Sequence, residues 1–222
     1  MNPSQLKKNL RSEFQQKIEA LSFGELISKS SGLVDSFQQN IVQSAHFGAF
    51  SGKFIVSFYP FDGEPQINIE SEKMDEPYQV SYVRIVDWTK REMVAACARR
   101  DQPGQWEEFL VSSSNKIFQP TSSQPVLASG EVAAILVPGL AFTLKGERLG
   151  RGAGFYDRFL RLFPQALRIG IAFEDQITDR IPTDPWDENV DVILTDGGIR
   201  EAIPTKLFGE WKSQGKIKSR SF

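Results

Sequence analysis

Apolar side chains recur every three to four residues at Leu6, Leu10, Phe14, Ile18 and Leu21, with lysines and glutamines between them. That period collects them on one stripe of a helix. It predicts helix from residue 4 to about residue 46, interrupted near Ser22. Ser22 followed by Glu25 has the form of a capping box, so a second helix starts there and runs through Phe37. The period then changes. Residues 53–59 are rich in β-branched and aromatic side chains and stop at Pro60 and Gly63, which predicts a strand. Shorter strand patterns cover 78–86 and 93–98. Residues 101–130 hold Pro103, Gly104, Pro120 and Pro125 among serines and read as a long connection. The unbroken apolar run at 132–137 predicts a strand covered on both faces. A helix at 155–162 and buried strands at 168–173 and 190–195 follow. This order predicts an α/β fold: a three-layer sandwich with a central mixed, mostly parallel sheet and an N-terminal helical region.

Composition narrows the picture without changing it. A chain of 222 residues suffices for one domain with a sizeable core, and 1–222 reads as that single domain. An apolar fraction of 40% argues against wholesale disorder. A net charge of −2 gives no overall basic field for nucleic acid. No apolar run is long enough to span a bilayer, and the polar N-terminus lacks the apolar core of a signal peptide. Cys97, the single cysteine, lies in the apolar run at 93–98 and reads as a buried, inert thiol. These features predict a cytoplasmic protein, and nothing in the pattern resembles a dimer seam, so a monomer is expected. His46, the single histidine, reads as structural or exposed, and the basic tail at 212–220 as a solvated terminus.

The densest chemistry lies at Val-Pro-Gly-Leu-Ala-Phe, 137–142, and at Arg-Leu-Gly-Arg-Gly-Ala-Gly-Phe-Tyr-Asp-Arg, 148–158. This is a strand, a sharp turn, a glycine-rich basic loop and a helix start. Gly150, Gly152 and Gly154 let the backbone turn tightly and approach a ligand. Loop N–H groups converge on phosphate oxygens in such arrangements, and Arg148 and Arg151 add planar forks for the same oxygens. Asp157 is a hard carboxylate suited to magnesium. The spacing matches neither the dinucleotide fingerprint nor a Walker loop. Elsewhere the residues leave alternatives open. Lys7 and Arg11 share a helix face one turn apart, which suits a solvated pair as well as a ligand-facing one. Glu64, beside Gly63, is a turn residue or a ligand acceptor. Asp187 and Asp191 are solvated, capping, or metal-binding if folding brings them to Asp157. Tyr59, Phe58, Trp106, Phe118 and Phe142 suit the core or stacking on a flat ligand, Tyr59 being the foremost candidate for stacking.

The stretch 138–160 resembles the 5-formyltetrahydrofolate cyclo-ligases, also called methenyltetrahydrofolate synthetases. Their pattern is Pro-Gly-x-x-Phe, then Arg-Leu-Gly-x-Gly-x-Gly-Tyr-Tyr-Asp, met here by Pro138, Gly139 and Phe142 and by Arg148 through Asp157. Phe155 replaces a frequent Tyr, and Thr143 stands where many members carry Asp. Sparser matches are Lys7 with Arg11, Tyr59, Glu64, Gln119-Pro120, Asp187 and Asp191. The resemblance implies ATP- and magnesium-dependent conversion of 5-formyltetrahydrofolate to 5,10-methenyltetrahydrofolate, with ADP and phosphate released, through phosphorylation of the formyl oxygen. It implies ATP as co-substrate, held by Lys7, Lys8, Arg11 and the loop residues Arg148, Leu149, Gly150, Arg151, Gly152, Ala153, Gly154, Phe155 and Tyr156. Arg148 and Arg151 would carry the catalytic charge neutralisation. The reduced folate would meet Tyr59, Glu64, Arg151 and Tyr156, and Asp157 and Asp187 would share Mg2+. Two other readings stay open: a divergent homologue acting on a different ATP-activated substrate, and a non-catalytic nucleotide- or folate-binding protein.

Overall fold

A computed structural model of the chain describes residues 2–42, 50–61, 63–70, 78–111 and 116–202. The expectations for His46 and for the basic tail fall outside the described residues. Helix α1 (Pro3–Glu19) begins at Asn2, whose side-chain oxygen accepts the N–H groups of Ser4 and Gln5 at 2.8 and 3.2 Å. Helix α2 (Phe23–Phe37) opens with the predicted capping box. Ser22 Oγ accepts from the Glu25 N–H, and the Glu25 carboxylate accepts from the Ser22 N–H at 2.9 Å. A π-helical turn at Gln38–Val42 extends it.

The strands are β1 (Lys53–Ser57), β2 (Tyr78–Asp87), β3 (Glu92–Ala96), β4 (Trp106–Leu110), β5 (Lys116–Pro120), β6 (Val132–Pro138), β7 (Ala141–Phe142), β8 (Arg148–Leu149), β9 (Leu167–Ile171), β10 (Val192–Thr195) and β11 (Gly198–Glu201); α3 (Phe155–Arg161) lies between β8 and β9. Seven of them form one sheet in the order β11-β10-β9-β6-β1-β2-β3. Its interior pairs are parallel, and only the two edge pairs, β10–β11 and β2–β3, are antiparallel. The sheet is therefore mixed and mostly parallel.

The alternation of side chains along a strand separates two apolar layers. Ile55, Leu136, Ile169 and Val192 pack with Leu33 and Phe37 of α2 on one face. Their neighbours Val56, Ile135, Val137 and Ile193 pack with Phe159 and Leu160 of α3 on the other. A third cluster joins Phe14 and Ile18 of α1 to Leu140, Ala141 and Leu149 of the β7–β8 hairpin. This small contact positions the site, because it lays α1 against the glycine loop.

Residues 101–130 depart from the expected plain connection: β4 and β5 form an antiparallel hairpin, with Trp106 opposite Pro120 and Phe109 opposite Ile117. Most of its side chains are half-buried or exposed, and of the two buried ones, Gln119 and Pro120, the first is polar, so it lacks the apolar run that marks a buried strand. Pro120 sits at the end of a two-stranded ribbon, where no ladder donor is missed. Gln119 fastens the hairpin to β2: its Oε1 accepts the Ile85 N–H at 2.9 Å, and its Nε2 donates to the Ile85 carbonyl at 3.4 Å. The short β7, β8 and β11 also go beyond the expected strands, because they hold too few residues to show a period.

Candidate active site

Beyond the C-terminal ends of β1, β2 and β6 lies a cavity of about 1120 Å³. Parallel α/β sheets place ligands at that end, where the chain leaves each strand in a loop. Two chemically different walls face each other across it.

The first wall is basic. Gly152 and Gly154 hold left-handed backbone, with φ of +102° and +73°, so the loop turns where a side chain would be strained. Arg11 of α1 lies against Gly152 and donates from Nε to the Gly150 carbonyl at 2.9 Å. Lys7, one turn earlier, is buried, and its Nζ lies 2.6 Å from both Asp184 Oδ2 and Asp187 Oδ2. Burial pulls the Lys7 ammonium down, but the two aspartates outweigh it and hold its pKa above the ordinary lysine value. Arg148, with a side chain only 5% exposed, donates from Nη2 to Asp157 Oδ1 at 3.0 Å and from Nη1 to the Pro138 carbonyl at 3.3 Å. Its guanidinium thus braces the loop and Asp157 rather than standing as an open fork. Among the described residues its Nε, and the buried hydroxyl of Tyr156 beneath it, have no hydrogen-bond partner. Burial keeps that hydroxyl protonated by raising its pKa.

Asp157 and Asp187 both line the cavity, and the Glu188 N–H, next to Asp187, reaches Asp157 Oδ1 at 3.3 Å. Among the described residues no three His, Cys, Asp or Glu side chains converge as a ready-made metal cage. Two carboxylates on one wall nevertheless fit magnesium, which is commonly held by one or two carboxylates, substrate phosphates and water. Asp191 does not belong to this set. It is buried under β9, accepts the Arg168 N–H at 2.8 Å and lies outside the cavity.

The second wall is aromatic. Tyr59, Phe61, Trp88 and Phe118 line it with Val83, Ile85 and Met93. Tyr59 packs against Phe118 and Trp106, with ring centroids 5.3 and 5.7 Å apart. Trp106 stands behind the wall, and Phe142 is core rather than lining. Glu64 joins the walls: its Oε1 accepts from Arg151 Nε at 3.0 Å and its Oε2 from the Phe61 N–H at 2.9 Å.

Every site residue implied by the resemblance therefore borders one cavity, except Lys8, which is exposed and points elsewhere from α1. Thr143 is also outside the cavity. Its hydroxyl donates to Glu147 Oε2 at 2.9 Å and accepts the Lys145 N–H, so it shapes the turn between β7 and β8. Sequence reasoning missed Asp184 as a partner of Lys7, and Trp88, Arg91, Arg158 and Arg161 at the rim. Arg91 adopts φ of +60°, which only the folded turn reveals. Cys97 is half-buried, and burial chiefly raises its thiol pKa, in keeping with an inert side chain. Among the described residues no helix is long and apolar enough to cross a membrane.

Fold and cavity together define an α/β enzyme with a basic glycine loop set against an aromatic wall. Comparison with known proteins narrows this to one family. A sequence model of the 5-formyltetrahydrofolate cyclo-ligase family matches residues 80–196. The 5-formyltetrahydrofolate cyclo-ligase of Mus musculus is 28% identical over 196 residues, spanning 85% of this chain and 92% of its own length. That of Mycolicibacterium smegmatis is 38% identical over 109 residues, 44% of this chain and 56% of its own. Among solved structures, 5,10-methenyltetrahydrofolate synthetase from Aquifex aeolicus superposes with a TM-score of 0.68 at 25% identity, covering 90% of this chain and 95% of that one. The Mycoplasma pneumoniae synthetase shares the fold at a TM-score of 0.63 and 22% identity, covering 86% and 98%. The chain belongs to the 5-formyltetrahydrofolate cyclo-ligase family and is a ligase.

Proposed function

We propose that the protein converts 5-formyltetrahydrofolate and ATP to 5,10-methenyltetrahydrofolate, ADP and phosphate, with magnesium. The observation that carries this reading is the single cavity that joins a phosphate-suited loop to an aromatic wall through the Arg151–Glu64 pair. The formamide oxygen is a poor leaving group. It attacks the γ-phosphorus, an O–P bond forms, and the bond to ADP breaks. The neighbouring folate nitrogen, N10, then attacks the activated formyl carbon. A C–N bond forms, the C–O bond to phosphate breaks, and the N10 proton passes to solvent.

The residues on the basic wall neutralise phosphate charge and hold it in line, which is most of what phosphoryl transfer requires of a protein. Lys7, Arg11 and Arg151 supply cations, and N–H groups from Gly150 to Gly154 orient the terminal phosphate. Arg148 holds Asp157 in place. Asp157 and Asp187 would hold magnesium, which when bound offsets charge on the phosphates. Glu64 accepts from the amino-amide edge of the pterin, whose two donors match a carboxylate. Tyr59 and Phe118 offer faces for the pterin or the aminobenzoyl ring.

The test is absorbance in the methenyl-folate band on mixing purified protein, ATP, magnesium and 5-formyltetrahydrofolate. A rise that needs both ATP and magnesium is the expected result. ATP binding with no rise would show that the same fold serves another ATP-activated substrate.

A further inference from the structure

Tyr59 is 40% exposed at the end of β1, with no regular element of its own to hold its ring. Besides Phe118 on the wall, a group outside the cavity holds it. The Arg100 guanidinium carbon stands 5.3 Å from the Tyr59 ring centroid and 5.3 Å from that of Tyr82, so it is stacked against both aromatics. From there Arg100 Nη2 donates to the carbonyl of Phe58, the residue before Tyr59, at 3.2 Å. Its Nε donates to Tyr82 Oη at 2.9 Å. Tyr82 is buried, and its hydroxyl donates to Glu70 Oε1 at 2.8 Å. Glu70 in turn accepts the backbone N–H of Arg100, at 3.1 Å to each oxygen. Trp106 of β4 closes the group edge-on to Tyr82 at 4.9 Å and against Tyr59 at 5.7 Å.

Arg100, Tyr82 and Glu70 close a polar circuit, which meets the cavity lining through Phe58 and the Tyr59 ring. Neither Arg100, Tyr82, Glu70 nor Trp106 lines the cavity. We infer that Arg100 is a positioning residue for the folate side of the reaction: it fixes Tyr59, through ring face and backbone together, at the angle the flat substrate needs. A planar guanidinium suits this task because it stacks and donates in its own plane at once; an ammonium cannot do both. Burial and the neighbouring Glu70 favour the neutral form of the Tyr82 hydroxyl despite the Arg100 charge, which keeps it a donor.

The inference rests on the proposed folate reaction, so the experiment separates the two. The variants are Arg100→Ala, Arg100→Lys, Tyr59→Ala and the double variant Arg100→Ala/Tyr59→Ala. Steady-state kinetics on each gives kcat and a separate KM for the folate substrate and for ATP, with folding followed by circular dichroism. Loss of the stacked cation and its two side-chain hydrogen bonds predicts that Arg100→Ala raises the folate KM about tenfold, with ATP KM and kcat within about twofold. Arg100→Lys, the variant kept for the case that alanine does not fold, is expected to show a smaller rise of the same kind. In the Tyr59→Ala background, Arg100→Ala is expected to add nothing to the folate KM, which a merely structural arginine would not satisfy. An unchanged folate KM in both Arg100 variants of an active enzyme, equal losses toward ATP and folate, or full additivity with Tyr59→Ala would each overturn the inference alone. A wild-type protein that neither binds nor converts 5-formyltetrahydrofolate would overturn both it and the proposed function.

Discussion

The two walls of the cavity are assembled in opposite ways. The basic wall takes most of its parts from residues 148–158, one continuous stretch of chain, and needs only α1 and the loop at 184–188 to complete it. The aromatic wall gathers Tyr59 from the end of β1, Trp88 from the turn after β2 and Phe118 from β5. Phosphate recognition depends on backbone shape and charge, which glycine spacing and arginines encode locally. Recognition of a flat, mostly apolar ligand depends on surfaces, and surfaces are made by packing segments distant in the chain. Substitutions in the basic wall should therefore act strongly and on catalysis, and those in the aromatic wall more mildly and on substrate affinity.

The largest expected effect is that of Asp157→Asn. Removing one charge at the centre of the transfer should lower kcat by about 100-fold or more. The structure adds a second consequence, because Arg148 is buried and loses its ion-pair partner. Breaking a buried pair is costly, and here, with an amide left to accept a hydrogen bond, a loss of about 1–3 kcal/mol is expected in denaturant unfolding. Retained turnover in the presence of magnesium would remove Asp157 from the metal site.

Arg151 sits where the walls meet, and its substitution sharpens the comparison. Arg151→Ala should raise the ATP KM about tenfold, and the folate KM less. Glu64→Gln should do the reverse, since it weakens the acceptor for the pterin edge. Steady-state kinetics with each substrate varied in turn checks both, and an Arg151 effect confined to folate would move that residue to the aromatic side.

The Lys7 clamp gives a smaller, pH-dependent effect. Lys7 has a folded pKa above its unfolded value of about 10.5, so its contribution to stability is present below that pH and fades as pH rises through the folded pKa. The difference in denaturant midpoint between wild type and Lys7→Met should be level from about pH 7 to pH 9 and shrink above about 10.5. A difference that already fades near neutrality would contradict the charged clamp. Smallest of all is Lys8→Ala. Lys8 is exposed and outside the cavity, so both KM values should stay within about twofold of wild type; a marked rise in ATP KM would extend the basic wall across α1.

Much of the framework was legible in the residues. The capping box at Ser22 and Glu25, the apolar strand at 132–137 and the helix after Gly154 are local signals, and each forms where its pattern places it. The β4–β5 hairpin was not legible, because most of its residues are half-buried or exposed and it is held by buried Gln119 reaching across to β2. The role of Arg148 shows the same divide. Its sequence position suggests an open phosphate fork, whereas burial turns it toward Asp157 and the Pro138 carbonyl. Arg100 carries no motif at all; its place between Tyr59 and Tyr82 exists only once β1, β2 and the chain after β3 are side by side.

Local order in the chain decided which segments are helix or strand and where the glycine loop lies, because periodicity, capping and backbone freedom act over a few residues. Tertiary structure decided that Lys7 meets Asp184 and Asp187, that Glu64 meets Arg151, and that the aromatic wall exists. Those contacts join residues far apart in sequence, and only the packing of the layers around the sheet brings their side chains within reach.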